Sequence, residues 1–148
     1  MTRRGQLPSM PTVLVVDDEE SLRQYMARVL EHEGYKVFLA GNGLEALDVF
    51  QRHAPRIHLV VTDVSMPVMS GPELAARMAE LGSQLPVLFV SGGHDRLALA
   101  GPLLRKPFLP VNLCEMVRLV LLGPLHSSAL QAGELTHATA DQRAAWSS

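Results

Sequence analysis

Residues 57–71 read IHLVVTDVSMPVMSG, an apolar, largely β-branched run that ends on one carboxylate, Asp63, before a loop. A strand buried on both faces of a parallel sheet reads as a short continuous apolar run, and open α/β sheets bind ligands beyond the carboxyl ends of their strands. Asp63 therefore falls where such a fold places its chemistry. Aspartate is also a favoured turn residue, and taken alone the position carries no more than that. The surrounding chain has to decide.

Outward from this stretch, strand-like apolar runs alternate with amphipathic helix-like segments, the pattern of βαβ units around a parallel sheet. Strands are expected at 13–16, 35–40, 57–62, 86–90 and 103–105. A helix is expected over 19–33, with Leu22, Met26, Val29 and Leu30 at helical spacing and Gly34 as its stop. Asn42 is a candidate N-cap for a second helix that buries Leu44, Leu47 and Phe50 and is bounded by Pro55. A third begins at Gly71 with Pro72 in its first turn and turns Leu74, Met78 and Leu81 inward. The last covers 111–122, with Leu113, Val117, Val120 and Leu121 on its buried side. The expected architecture is a five-stranded, doubly wound α/β domain over 12–123. It lies between a flexible N-terminal segment, 1–11, and a disordered tail, 124–148, rich in Ala, Ser, Thr and Gln. No internal repeat is present.

Composition narrows the function classes. A chain of 148 residues with 47% hydrophobic content and 19% charge can bury a real core as one domain. The net charge of −2 argues against a phosphate-backbone binder, so no nucleic-acid partner is expected. The single cysteine, Cys114, allows no internal disulfide, fits a reducing cytosol, and reads as a buried hydrophobe. No apolar run follows Arg3 and Arg4, and no run reaches the roughly 18 residues of a membrane span. A cytoplasmic protein without a membrane partner, monomeric or a weak dimer, is expected. The six histidines show no i,i+4 pair and read as surface or incidental residues. Met66 and Met69 read as packing for the loop beside Asp63.

Polar residues at the strand ends form one constellation. Asp17 and Asp18 close the first strand, Asp63 the third and Ser91 the fourth, and Lys106 follows the fifth. Parallel strands point their carboxyl ends the same way, so all five residues fall on one edge of the sheet. Two carboxylates about 4 Å apart repel by about 4 kcal/mol at an effective dielectric of ~20, so the cluster calls for a counter-ion. Mg²⁺ fits, because it takes oxygen ligands from one or two carboxylates and a phosphate. Lys106 offers a point charge and Ser91 a hydroxyl to phosphoryl oxygens, which equips an aspartate to attack phosphorus. The alternative for Asp17, Asp18 and Glu19 is a solvated cap on the first helix.

These residues resemble the response-regulator receiver domains of two-component signalling. The resemblance runs from about Thr12 to Leu122 and rests on VLVVDDEESLR at 13–23, VVTDVSMPVMSG at 60–71, PVLFVSGG at 86–93 and RKPF at 105–108. It implies a flavodoxin-like fold with strand order 2-1-3-4-5. It further implies that Asp63 is the phosphoacceptor, that Asp18, Asp63 and the Ser65 carbonyl ligate Mg²⁺, and that Asp17 acts through a bound water. Ser91 would be the switch hydroxyl, and Lys106, before a Pro107 that is cis in the family, the phosphate-binding lysine. The implied partner is a histidine kinase or a histidine phosphotransfer protein. Only weak self-phosphorylation and self-dephosphorylation would be catalysed, and no attached output domain is expected.

Two departures stand out. Leu103 occupies the position, three before the lysine, where receivers commonly carry a switch aromatic. Only fourteen residues separate Ser91 from Lys106, so the fourth helix is expected to be short or absent, confined to part of 92–102. The rival readings are a receiver fold used only for docking and a haloacid-dehalogenase-type phosphatase. The phosphatase wants a second aspartate two residues after the first, where this chain has Ser65.

Overall fold

The computed structural model describes residues 10–93 and 99–123. Five strands, β1 (Thr12–Val16), β2 (Lys36–Ala40), β3 (Leu59–Asp63), β4 (Val87–Ser91) and β5 (Leu103–Arg105), form one sheet in the order 2-1-3-4-5. Every adjacent pair is parallel. Among the described residues, α1 (Glu20–His32), α2 (Gly43–His53), α3 (Gly71–Glu80) and α4 (Pro110–Leu121) follow β1, β2, β3 and β5. This is the expected doubly wound, flavodoxin-like arrangement. The crossover helix expected within 92–102 falls largely on residues 94–98, outside the described residues. The tail at 124–148 and most of the N-terminal segment lie outside them too.

Side chains alternate across the strands, and the sheet therefore has two apolar faces. Val13, Val15, Leu59, Val61, Leu88, Val90 and Leu104 pack under α1 and α4 against Met26, Leu30, Leu113 and Val117. Leu14, Val16 and Val60 pack under α2 and α3 against Ala46, Phe50, Leu74 and Met78. Leu74 is fully buried, so truncation to alanine there is worth about 2–5 kcal/mol. No helix among the described residues is long and apolar enough to cross a membrane.

Local signals set the helix ends. Asn42 Oδ1 accepts the Glu45 N–H at 2.8 Å, and Ser70 and Glu73 form a reciprocal capping box. Gly34, at φ +100°, ends α1, with its own N–H on the Glu31 carbonyl and that of Tyr35 on Leu30. Gly71 starts α3 where a Cβ would strike the Asp63 carbonyl. Only glycine lets the loop after Asp63 close back on its own strand.

Four expectations are corrected. Leu44 is 57% exposed, because the buried stripe of α2 runs through Gly43, Ala46 and Phe50 and Leu44 sits about 100° away from Gly43. Leu81 is exposed because α3 ends at Glu80 and Leu81 is its cap. Cys114 is half-buried rather than buried; burial and then the neighbouring Glu33 raise its thiol pKa. His58 is not incidental: its Nδ1 accepts the buried Thr12 N–H at 2.9 Å, tying the starts of β1 and β3. His53 likewise stacks on Phe38, with ring centroids 4.5 Å apart.

Candidate functional site

Register brings the acids together. Val16 pairs with Thr62, so the next step along both strands sets Asp17 beside Asp63 at the carboxyl edge. Both are buried, while Asp18 is exposed at the mouth of the site. One carboxylate oxygen from each of Asp17, Asp18 and Asp63 lies within 4.8 Å of the others. Lys106 reaches in from the end of β5, with Nζ 3.5 Å from Asp63 Oδ2 and 3.7 Å from Asp17 Oδ2. The second separation is an ion pair but too long for a hydrogen bond, so Asp17 Oδ2 is a buried oxygen with no hydrogen-bond partner.

The other oxygen of Asp17, Oδ1, accepts the Glu19 N–H at 2.8 Å, while Glu19 itself makes no side-chain cap on α1. Asp17 is fully buried and its Oδ1 bonds the N–H of the residue before the helix, not one inside it, so for this residue the solvated-cap alternative does not hold. Ser91 ends β4, buried, and its Oγ accepts the Gly93 N–H at 3.2 Å. Its carbonyl accepts the Lys106 N–H at 2.8 Å, which fixes the lysine beside it. Gly92 lies against the lysine stem, where a Cβ would stand 3.4 Å from Cδ. The peptide between Lys106 and Pro107 is cis. Ser65 lies exposed in the loop two residues past Asp63. Met69 anchors that loop by packing over Gly43 at the start of α2, in the cluster that Met66 also packs against.

Electrostatics follow from the crowding. Burial raises the Asp63 pKa to about 6, against the pull of Lys106 and with further upward pressure from Asp17 and Asp18. Burial also raises the pKa of Asp17, opposed by the Glu19 N–H and then by Lys106. Three carboxylates share one ammonium. A group of acids with a buried oxygen left unpartnered fits a hard divalent cation, which takes oxygen ligands.

A family profile described as response regulator receiver domain matches residues 13–118. This chain belongs to that family. The receiver is 34% identical to the sensor kinase CckA of Brucella abortus over an alignment 122 residues long that covers 78% of this chain and 13% of the kinase. It is 35% identical to the response regulator MprA of a Mycobacterium strain, covering 74% of this chain and 50% of that protein. It therefore spans half or less of these two curated relatives. An uncharacterized 14.6 kDa protein of Leptolyngbya boryana is 39% identical across 73% of this chain and 86% of its own length. Among solved structures, the chemotaxis protein CheY4 of Vibrio cholerae superimposes with a TM-score of 0.65 at 34% identity, covering 74% of this chain and 97% of that one. The receiver domain of the hybrid histidine kinase CckA gives 0.66 at 33%, covering 75% and 98%.

Three residues around the receiver's site carried no role in the sequence reading. Arg23 Nη1 donates to the Asp17 carbonyl at 2.8 Å, and Arg105 Nη1 to the Gly93 carbonyl at 3.1 Å. Val68, 80% exposed in the loop after Asp63, holds φ at +72°, which a β-branched residue rarely adopts. For Arg23 a signal existed: a long side chain in the first turn of a helix leans back toward its N-terminus, here the turn that carries Asp17.

Proposed function

We propose that this receiver accepts a phosphoryl group on Asp63 from a phosphohistidine of a histidine kinase or phosphotransfer protein, within a cytoplasmic two-component relay. The observation that carries the reading is the placement of Asp63: a buried carboxylate at a strand end, 3.5 Å from an ammonium and clustered with two further acids. Asp17, Asp18 and Asp63 would hold Mg²⁺, with the Ser65 carbonyl as a further oxygen ligand by family resemblance. When bound, the ion would neutralise the excess negative charge and polarise phosphoryl oxygens.

The chain's own residues then do the following. An Asp63 carboxylate oxygen attacks phosphorus as the P–N bond to the imidazole breaks, and the departing ring leaves neutral once it holds one proton. Lys106 places its charge against a phosphoryl oxygen, and the Ser91 hydroxyl donates to another. Reversal to the resting state needs an in-line water, which breaks the P–O bond and returns Asp63 and inorganic phosphate. Ser65 and Gly93 are small and leave that approach open. The ordered unit that performs these steps is taken as 12–123, acting as a monomer or weak dimer.

Incubation with Mg²⁺ and a small acyl phosphate, followed by intact mass spectrometry, tests the reading. One phosphoryl group should be added to the parent and none to Asp63→Asn. Equal labelling of the two would remove Asp63 from its proposed role.

A further inference from the structure

We propose that Arg23 is a positioning residue for the carboxylate corner, holding the peptide between Asp17 and Asp18 so that both side chains can serve one divalent cation. The inference rests on the metal reading of Asp17, Asp18 and Asp63 given above.

Arg23 does not touch the carboxylates. Its Nη1 donates to the Asp17 backbone carbonyl, and that carbonyl belongs to the peptide whose nitrogen is Asp18's. The Asp17 N–H is held at 3.2 Å by the carbonyl of Ala40 at the end of β2. Its Oδ1 is held by the Glu19 N–H. With Arg23 on the carbonyl, three of the four polar atoms of Asp17 have hydrogen-bond partners, and Oδ2 is the one left over. The guanidinium is confined in turn. The Arg23 N–H bonds the Glu19 carbonyl in the first turn of α1, and Gly41 packs against the fork, where a Cβ would stand 3.3 Å from Nη1. Rotation about the Asp17 Cα–C bond alone would swing this carbonyl off the guanidinium and move the Cα of Asp18 with it, and the Arg23 bond opposes that rotation.

Two effects of removing Arg23 oppose each other in sign, which makes the inference testable. Deleting a cation near an acidic cluster favours cation binding, by Coulomb's law alone. Deleting a partner that orients metal ligands weakens binding, commonly by tenfold or more. Lysine keeps the charge but replaces the planar fork with a point donor.

The test is calorimetric titration of the folded protein with Mg²⁺, without any phosphodonor. Arg23→Met should bind about tenfold more weakly than the parent, and Arg23→Lys should fall between, about threefold weaker. Affinity in Arg23→Met equal to or tighter than the parent's overturns the inference while leaving the metal site standing. A parent that takes up no Mg²⁺ overturns the metal reading and the inference with it. If Arg23→Met fails to fold, Arg23→Lys carries the test, and parental affinity in that variant overturns the inference.

Discussion

The two ends of the same five strands are built on different terms. At the amino end, the buried Thr12 N–H is met by His58 Nδ1, the Thr12 carbonyl accepts the His58 N–H, and the Pro11 carbonyl accepts from Lys36. At the carboxyl end, a buried carboxylate oxygen has no hydrogen-bond partner, Asp63 is held well above its ordinary pKa, and a valine is forced to positive φ. One edge pairs these polar groups, and the other crowds acids around one buried oxygen left without a hydrogen-bond partner. Unfavourable features that persist in a folded domain gather where a ligand or reaction compensates them.

The largest expected effect comes from discharging the carboxyl edge. Asp63 binds its proton more tightly folded than unfolded, with a pKa near 6 against an ordinary 3.8. Its contribution to stability is therefore fully present below about pH 4 and is lost as pH rises through 6, up to about 3 kcal/mol. Asp63→Asn should be more stable than the parent at pH 7 in chelator, by as much as that. Urea unfolding across pH 4 to 7 should show a flatter dependence for the variant, and saturating Mg²⁺ should narrow the gap. A variant that follows the parent at every pH would show that the carboxyl edge stores no such repulsion.

The amino edge should respond in the opposite direction. His58→Ala leaves a buried donor on Thr12 unmet and should lower stability by about 1–3 kcal/mol in chemical denaturation. His58→Asn, whose amide oxygen can accept the same bond, should recover part of the loss. Phosphoryl uptake at Asp63 should not change in the folded variants. A drop in labelling beyond the unfolded fraction would mean that the two edges are coupled.

The smallest effect belongs to Val68. Val68→Asn places a residue that tolerates left-handed backbone at φ +72° and should stabilise the protein by about 1 kcal/mol, read as a higher thermal midpoint. No gain would mean that the loop relaxes at no cost when the valine is present.

The carboxyl edge was the more legible of the two in the sequence. Apolar runs that stop on Asp17, Asp63 and Ser91, and one followed by Lys106, mark strand ends, and parallel topology then gathers those residues with no knowledge of their contacts. Asn42, Gly34 and Pro72 act within a turn of themselves, so they too could be read locally. His58 could not, because its partner lies 46 residues away and nothing near it signals an acceptor role. Leu44 and Leu81 misled for a different reason. Helical spacing of large apolar residues points to a buried face, but the buried stripe of α2 starts on the small Gly43 and Ala46 before it reaches Phe50, with Gly43 against Met69, and leaves Leu44 outside. Arg23, in the first turn of its helix, could be expected to lean back toward the turn that carries Asp17, but its partner there is a backbone carbonyl, which no residue type marks. The five roles proposed for the strand-end residues were legible as a grouping, whereas the strain at Val68 was not, since no residue type announces a φ that it disfavours.

One lysine set against three carboxylates also governs encounter. The corner gathers three carboxylates around one ammonium, and Arg23 sits on the Asp17 backbone carbonyl rather than on an acid, so the ionised corner carries surplus negative charge. Phosphoryl donors are anions, and the field of that surplus slows their approach in a way that added salt relieves. Occupancy by a divalent ion would remove the surplus and with it most of the salt dependence. Ionic strength thus becomes a reporter of loading order: a steep salt response marks a bare corner, and a flat one a corner already charged for capture.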